Sequence, residues 1–427
     1  VLWVDPSKDL FFIFLSNRVH PTGNGSVNYL AGELLNRVVS SIYAGPKKSQ
    51  TLVKTGIDSL AEDGFAVLSG KQVGLITNHT GVDRSGRNTA VLLRDAPNVD
   101  LVALFSPEHG FAGKLDTSNI DDDVDSATGL KVYSLYGKTR RPTPEMLDGL
   151  DTLVFDIQDI GARFYTYIST MGEAMKAAAE SKVRFVVLDR PNPLGGLVVS
   201  GPMLDPGSES FVGFHTLPVQ HGMTTGEIAT MLKAELELDL ELEIVRCQGW
   251  LRELSWDQTN LTWINPSPNM RSLTQAFLYP GIGLLETTNL SVGRGTDTPF
   301  EVLGAPWIDG QQLAMNLNAR EIPGVTFVPI RFTPTSSKFA DEPCEGINIA
   351  ITQRANLDSV RVGLEIAAAL RVLYPTEWDT KQLGRLLGNA VVVDSIRSNE
   401  PIADTLEKSQ RDVKGFLRRR QSYLLYE

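Results

Sequence analysis

Leu101-Val102-Ala103-Leu104-Phe105-Ser106-Pro107-Glu108-His109-Gly110-Phe111 reads as a buried strand that ends in chemistry. Five apolar residues in an unbroken run suit a strand covered on both faces. Ser-Pro breaks the strand, and the turn then delivers a carboxylate and an imidazole side by side, just ahead of a glycine. Open α/β sheets hold their reactive side chains at such strand ends. Glu108 is therefore the candidate centre of an active site.

The flanking sequence repeats the pattern. Apolar runs at 72–77, 131–135, 151–157 and 183–188 suit further parallel strands, and helical stretches near 88–96, 143–149 and 168–181 separate them. This alternation predicts an α/β fold, a Rossmann-like doubly wound parallel sheet. The strand ends carry Thr77-Asn78-His79-Thr80-Gly81, then Asp156-Ile157-Gln158-Asp159-Ile160-Gly161-Ala162-Arg163, then Asp189-Arg190-Pro191-Asn192-Pro193. Purely structural residues would scatter over both ends of the sheet. Here four strands carry theirs at the carboxyl end.

Around this layer the chain divides by composition. In residues 1–45, Leu2–Pro6 and Leu10–Asn17 read as a hairpin and about 28–43 as a helix, a string that resembles the last hairpin and terminal helix of serine β-lactamase-like and penicillin-binding-protein-like hydrolases. The Ser-x-x-Lys nucleophile of that fold is missing, and Lys54-Thr55-Gly56 falls after the helix, so its match to another motif of that fold is read as coincidence. Residues 1–45 are expected to be a catalytically empty fragment, 46–53 a linker, 54–204 the Rossmann-like domain and 205–427 a smaller α/β domain, with a cleft between the last two. In the last part, Thr224–Glu235 predicts a capped helix, 325–333 and 346–352 strands, and 358–373 and 402–420 helices. Residues 265–301, dense in Pro, Gly and Asn, predict a long irregular functional segment.

Several functions are disfavoured. A net charge of −11 over 427 residues leaves no basic excess for nucleic acid. Arg418-Arg419-Arg420 reads as the solvated end of a helix. No apolar run reaches the ~18 residues of a membrane span. Val1 already reads as strand, so any signal region would lie upstream. Cys247 and Cys344 fix neither a bridge nor a compartment. There is no Gly-x-Gly-x-x-Gly, P-loop or Gly-x-Ser-x-Gly, and His79, His109, His215 and His221 lack a zinc spacing. Asp121, Asp122, Asp123 and Asp125 lack the glycine and glutamate of a calcium loop. No cofactor or metal is expected.

What remains is a set of carboxylates, Glu108, Asp156, Asp159, Asp189 and Glu286, amid Asn78, Asn192, Asn289, Tyr165, Tyr167, Arg163, Arg190 and Arg294. Paired carboxylates among such residues suit glycoside hydrolysis, one acid protonating the leaving oxygen and a second group meeting the oxocarbenium-like centre. The alternative is that Asp156 and Asp189 cap turns and pair with Arg163 and Arg190.

The strings GLITNHTGVDRSGR (74–87), LFSPEHGFAG (104–113), VYSLYGKTRRPTPEML (132–147), FDIQDIGARFYTYISTM (155–171), VLDRPNPLGG (187–196), PSPNMRSLTQAFLYPG (266–281), ETTNLSVGRGTDTPFE (286–301) and GAPW (304–307) make the chain from about Lys54 to 380 resemble the DUF1343 family, the NamZ-like exo-β-N-acetylmuramidases of glycoside hydrolase family 171. Ser200 departs from the family's usual Glu, and Asp297 from a common Thr. The resemblance implies release of N-acetylmuramic acid from the non-reducing end of peptidoglycan fragments such as MurNAc-GlcNAc, in an extracytoplasmic setting, with Glu108 as acid/base. His109 either tunes Glu108 or packs. The second group is Asp156, Asp159, Glu286 or the substrate's own N-acetyl. Arg163, Arg190 and Arg294 are candidates for the lactyl carboxylate. A non-catalytic muropeptide-binding module and a hydrolase of another class are the rival readings.

Overall fold

Strand β7 (Thr152–Asp156) is buried at every position, as expected of a parallel strand covered by helices on both faces. It lies inside a computed structural model that describes residues 52–113 and 120–427, the strands β1 (Leu2–Asp5) and β2 (Leu10–Ile13), and positions 32 and 34. β1 and β2 pair antiparallel, as the hairpin reading expects. The expected 28–43 helix lies otherwise outside the described residues.

The main sheet has seven strands. They are β3 (Lys71–Thr77), β4 (Val99–Ser106), β5 (Asp123–Val124), β6 (Lys131–Ser134), β7, β8 (Arg184–Leu188) and β11 (Leu242–Val245). Their spatial order is β11-β8-β7-β3-β4-β6-β5, parallel throughout except for the short β5. Counting the six parallel strands along the chain gives 3-2-1-4-5-6, the Rossmann order. Alternation along each strand sorts the apolar side chains. Val73, Leu75, Leu104, Val154 and Val186 face one core, while Ile76, Phe105, Phe155 and Val187 face the other.

The second core continues into the later residues. There β12 (Val302–Ala305), β13 (Val325–Phe332) and β14 (Cys344–Ile351) form an antiparallel sheet in the order β12-β14-β13. The helices Leu273–Ile282 and Ser359–Leu373 cross beside it at Gly281 and Gly363. A Cβ on Gly281 would sit 1.8 Å from the Ser359 carbonyl oxygen, so only glycine lets these backbones meet. β9 (Ser200–Met203) and β10 (Pro218–Gln220) form a small connecting sheet. Ser200, the family departure, donates to Asp358 at 2.7 Å.

Three features depart from the sequence reading. β11 lies beyond residue 204 yet forms the edge of the first sheet, so that sheet draws on chain past the expected boundary. The 265–301 segment holds the ten-residue helix Leu273–Ile282, capped by Ser272, which its Pro and Gly content masked. The basic run at the end of the helix Ile402–Arg420 is only partly solvated. Arg420 is buried and donates to the carbonyls of His221 and Gly222, and Arg419 pairs with Glu235. The chain end thus returns to the first layer, where Tyr426 donates to Asp189 and the Leu425 amide to Glu227. Lys54-Thr55-Gly56 starts the helix Gly56–Glu62: Thr55 is its N-cap, and the Gly56 amide donates to the Asp189 carbonyl. Both cysteines are free and buried.

Candidate active site

β4 ends at Ser106, and the next residues turn sharply. The Gly110 amide bonds back to the Pro107 carbonyl, and His109 and Gly110 both adopt left-handed backbone, φ 70° and 74°. A histidine at positive φ is held there only by its surroundings, a feature frequent at functional turns. The turn aims Glu108 into a cleft of about 640 Å³. Glu108, His109, Phe164, Tyr165, Thr166 and Val212 line it together with Ser267, Met270, Tyr279, Glu286, Arg294, Phe300, Ser336, Ser337 and Leu386 from later in the chain.

Glu108 is held from two directions. Thr166 donates its hydroxyl to the carboxylate, and the Tyr136 phenol bonds to it as well. Thr166 sits at the N-cap of the helix Tyr167–Ser181 but makes no capping bond, because its hydroxyl is directed at Glu108. Beneath the carboxylate lie aromatic rings packed edge to face. Tyr165 is 5.0 Å from Tyr167 and 5.8 Å from Tyr279, and Tyr279 is 4.7 Å from Phe300. Burial, with the Glu108 charge adding to it, holds all three tyrosine phenols above their ordinary range. They serve as neutral donors and stacking faces.

The structure sorts the other proposed carboxylates. Glu286 lines the cleft, paired with Arg294, whose guanidinium carbon also lies 5.4 Å from the Phe300 ring centre. Lys338 donates to the Glu286 backbone carbonyl, and burial lowers its pKa. Asp156 is fully buried and saturated: Arg190 grips both its oxygens at 2.5 and 2.9 Å, and Thr89 adds a third bond. It is not placed to attack a substrate. Asp189 accepts from Thr224, Gly226, Tyr426 and the Arg190 amide, and burial pushes it up to about 6. It ties the helix Thr225–Glu235 and the chain end to the sheet. The turn-and-pair alternative holds for Asp156 with Arg190, whereas among the described residues Asp189 takes no arginine side chain and Arg163 pairs with neither aspartate.

Asp159 is buried beside the cleft without lining it, accepts from the Gly161 amide at 2.7 Å, and is pushed up to about 7 by burial. His221 Nε2 lies 3.9 Å from it. His221 Nδ1 accepts the Met223 amide, which leaves the ring proton on Nε2, facing Asp159, and burial lowers the imidazole to about 3.

Of the arginines proposed for the lactyl carboxylate, only Arg294 reaches the cleft. Arg163 is buried and donates to four carbonyls, those of Pro202, Leu217, Leu386 and Leu387, and desolvation lowers it to about 9. It pins the two halves of the molecule together. Arg190 is consumed by Asp156. Asn78 accepts from Thr80 and lies against Tyr167, whose hydroxyl donates to the Pro266 carbonyl. Asn192 holds Met223 and Leu194, and Asn289 holds Glu377 and Asp379, both outside the cleft lining. His79, desolvated and lowered, bonds the Asn265 carbonyl at 2.6 Å and packs on Gly113, where a Cβ would fall 1.8 Å from the ring.

Sequence reasoning missed Thr166, Tyr136, Tyr279 and the Ser336-Ser337 pair. The first three lie within the family-like strings, but nothing in residue type marked them out. Among the described residues no group of three His, Cys, Asp or Glu is arranged to hold a metal ion.

Residues 73–274 match the family model for the N-terminal part of the exo-β-N-acetylmuramidase NamZ, and residues 277–426 the model for its C-terminal part. The chain is 41% identical over 407 residues to the peptidoglycan β-N-acetylmuramidase NamZ of Bacillus subtilis, covering 93% of this chain and 98% of that protein. Two crystal structures of DUF1343 family proteins from Bacteroides fragilis superpose on it. One has TM-score 0.83 at 41% identity, over 88% of this chain and all of the other, and the second has 0.71 at 31%, over 88% and 99%. The chain belongs to the exo-β-N-acetylmuramidase NamZ family.

Proposed function

We propose that this chain is an exo-acting glycoside hydrolase that releases N-acetylmuramic acid from the non-reducing end of peptidoglycan fragments such as MurNAc-GlcNAc. Glu108 is its general acid/base. The observation that carries the reading is the placement of Glu108, a cleft carboxylate held by Thr166 and Tyr136, in a chain so similar to a peptidoglycan β-N-acetylmuramidase. A carboxylic acid fixed at one wall of a sugar-sized cleft protonates the departing oxygen, while aromatic faces and neutral phenols hold the ring. Glu286 is the second carboxylate in that cleft and the favoured partner, since the other proposed carboxylates lie outside its lining.

Incubation with MurNAc-GlcNAc followed by mass spectrometry should find free MurNAc. E108Q, close in shape to the parent, should lower kcat by roughly 10²–10⁴-fold with the fold intact. Undiminished turnover of MurNAc-GlcNAc, whose sugar leaving group needs protonation, by E108Q would remove Glu108 from the acid role. The proposal includes an extracytoplasmic setting, on the family resemblance. It also keeps residues 1–45 as a β-lactamase-like fragment, on the string resemblance and the antiparallel β1–β2 pair.

A further inference from the structure

With Arg163 and Arg190 committed to protein partners and Arg294 to Glu286, the expected cation for a substrate carboxylate must come from elsewhere. The rim beside Glu108 holds two candidates. Arg140 is exposed, and its guanidinium carbon lies 4.9 Å from the Tyr136 ring centre and 4.4 Å from that of Phe211, two rings 6.0 Å apart and tilted by 44°. An arginine seated between two aromatic faces keeps its donors outward in one orientation, which lowers the cost of ordering it around an anion. Arg385, also exposed, lies within electrostatic reach of the same Tyr136 phenol. Neither has a carboxylate partner among the described residues.

Their neighbours fix their place. Tyr136 bonds to Glu108, Phe211 precedes Val212, and Arg385 precedes Leu386, and both of those next residues line the cleft. Leu386 is held in turn by Arg163 through its carbonyl. Three separate chain segments therefore bring two cations and a stacking platform to the Glu108 end of the cleft. We propose that Arg140 and Arg385 form a carboxylate subsite that selects acidic muramyl substrates. Its ligand is the lactyl carboxylate or, where that group is amidated by a peptide, a carboxylate of the attached stem. The inference rests on the muramidase reading and adds what distinguishes MurNAc from GlcNAc at this end of the cleft.

The test uses R140Q, R385Q and the double variant with MurNAc-GlcNAc, with its lactyl methylamide, and with a peptide-bearing disaccharide. Each single change should raise KM roughly tenfold and the pair roughly a hundredfold, with the loss in KM and not in kcat, as for charge-assisted bonds made in ground and transition state alike. The neutral methylamide should cost the parent the same factor and show no further loss in the double variant. A loss confined to the peptide-bearing substrate assigns the carboxylate to the stem; a loss on the free disaccharide assigns it to the lactyl group. A double variant with parental KM on both acidic substrates, or one equally impaired on the methylamide, overturns the subsite. If the parent cleaves nothing, the hydrolase reading fails and calorimetric titration decides the subsite. MurNAc bound in preference to GlcNAc by the parent and not by the double variant sustains it, and any other pattern overturns it.

Discussion

Asp159 and His221 form a buried pair whose charge state sets a measurable pH signature. Burial raises Asp159 from 3.8 to about 7 and lowers His221 from 6.5 to about 3, so both are neutral in the folded chain near pH 5. Between about pH 4 and 7 the folded chain keeps a proton on Asp159 that the unfolded chain has released, so this group's contribution to stability falls as pH rises. Between about pH 3 and 6.5 the unfolded chain binds a proton on histidine that the folded chain excludes, so that contribution rises with pH. Each slope is about 1.4 kcal/mol per pH unit, and in the overlap they cancel. D159N should expose the histidine alone, giving roughly 3 kcal/mol of added stability between about pH 4 and 6.5 relative to the parent. H221Q should expose the aspartate, with stability falling by a similar amount over the same span. Urea midpoints across pH, each read as a difference from the parent, measure both slopes. An ionised Asp159–His221 pair would move the pH dependence outside that window, below about 4 and above 6.5, and would refute the neutral-pair argument.

Other perturbations test the surroundings of the cleft. R163M strands four buried carbonyls and should cost roughly 3–5 kcal/mol in a denaturant titration, whereas a loss under about 1 kcal/mol would show that the arginine does not pin the two halves. G113A must place a Cβ into the His79 ring at a left-handed position, so Tm should drop by several degrees, a loss of roughly 2 kcal/mol, with the His79–Asn265 bond broken. T166V keeps shape and removes the hydroxyl on Glu108. It should lower kcat by roughly tenfold with KM little changed, and an unchanged kcat would show that the bond does not position the acid.

The parallel layer was legible because its signals are strong and local. Unbroken apolar runs bounded by Pro and Gly place β3, β4, β7 and β8 within a residue or two of their observed ends. The capping pair Thr224 and Glu227 announced its helix in the same way. The sheet's last strand was legible as a strand but not as a member of this sheet, since its partner β8 lies more than fifty residues upstream and pairing leaves no mark in either segment. The helix Leu273–Ile282 was hidden by Pro280 and Gly281, which are tolerated at its last turn where the crossing with Ser359–Leu373 needs a bare backbone. The site was legible in its centre and opaque in its periphery. Position at a strand end identified Glu108, but residue type alone does not say whether a buried aspartate faces a cleft or an arginine.

Why the aspartates became structural follows from the topology. In a 3-2-1-4-5-6 sheet the crevice opens between the first and fourth strands, here β3 and β7, where Asn78 and Asp156 stand. That crevice is occupied by the protein's own groups. Asp156 binds Arg190 and Thr89, Thr77 donates to the Asp156 carbonyl, and Asn78 closes its turn on Thr80. A carboxylate so enclosed has its acceptor capacity filled and is poorly suited to attack a substrate. The unsaturated position lies one strand over, at the end of β4, where among the described residues hydroxyl donors hold Glu108 and no ion pair does. A hydroxyl orients an acid without neutralising it, which a glycosidase acid requires and an ion pair would defeat. The later part of the chain then adds Glu286, Tyr279 and Phe300 to the lining of the same cleft. Saturation at the switch point and openness beside it are two consequences of one choice, the distribution of arginines among the strand ends.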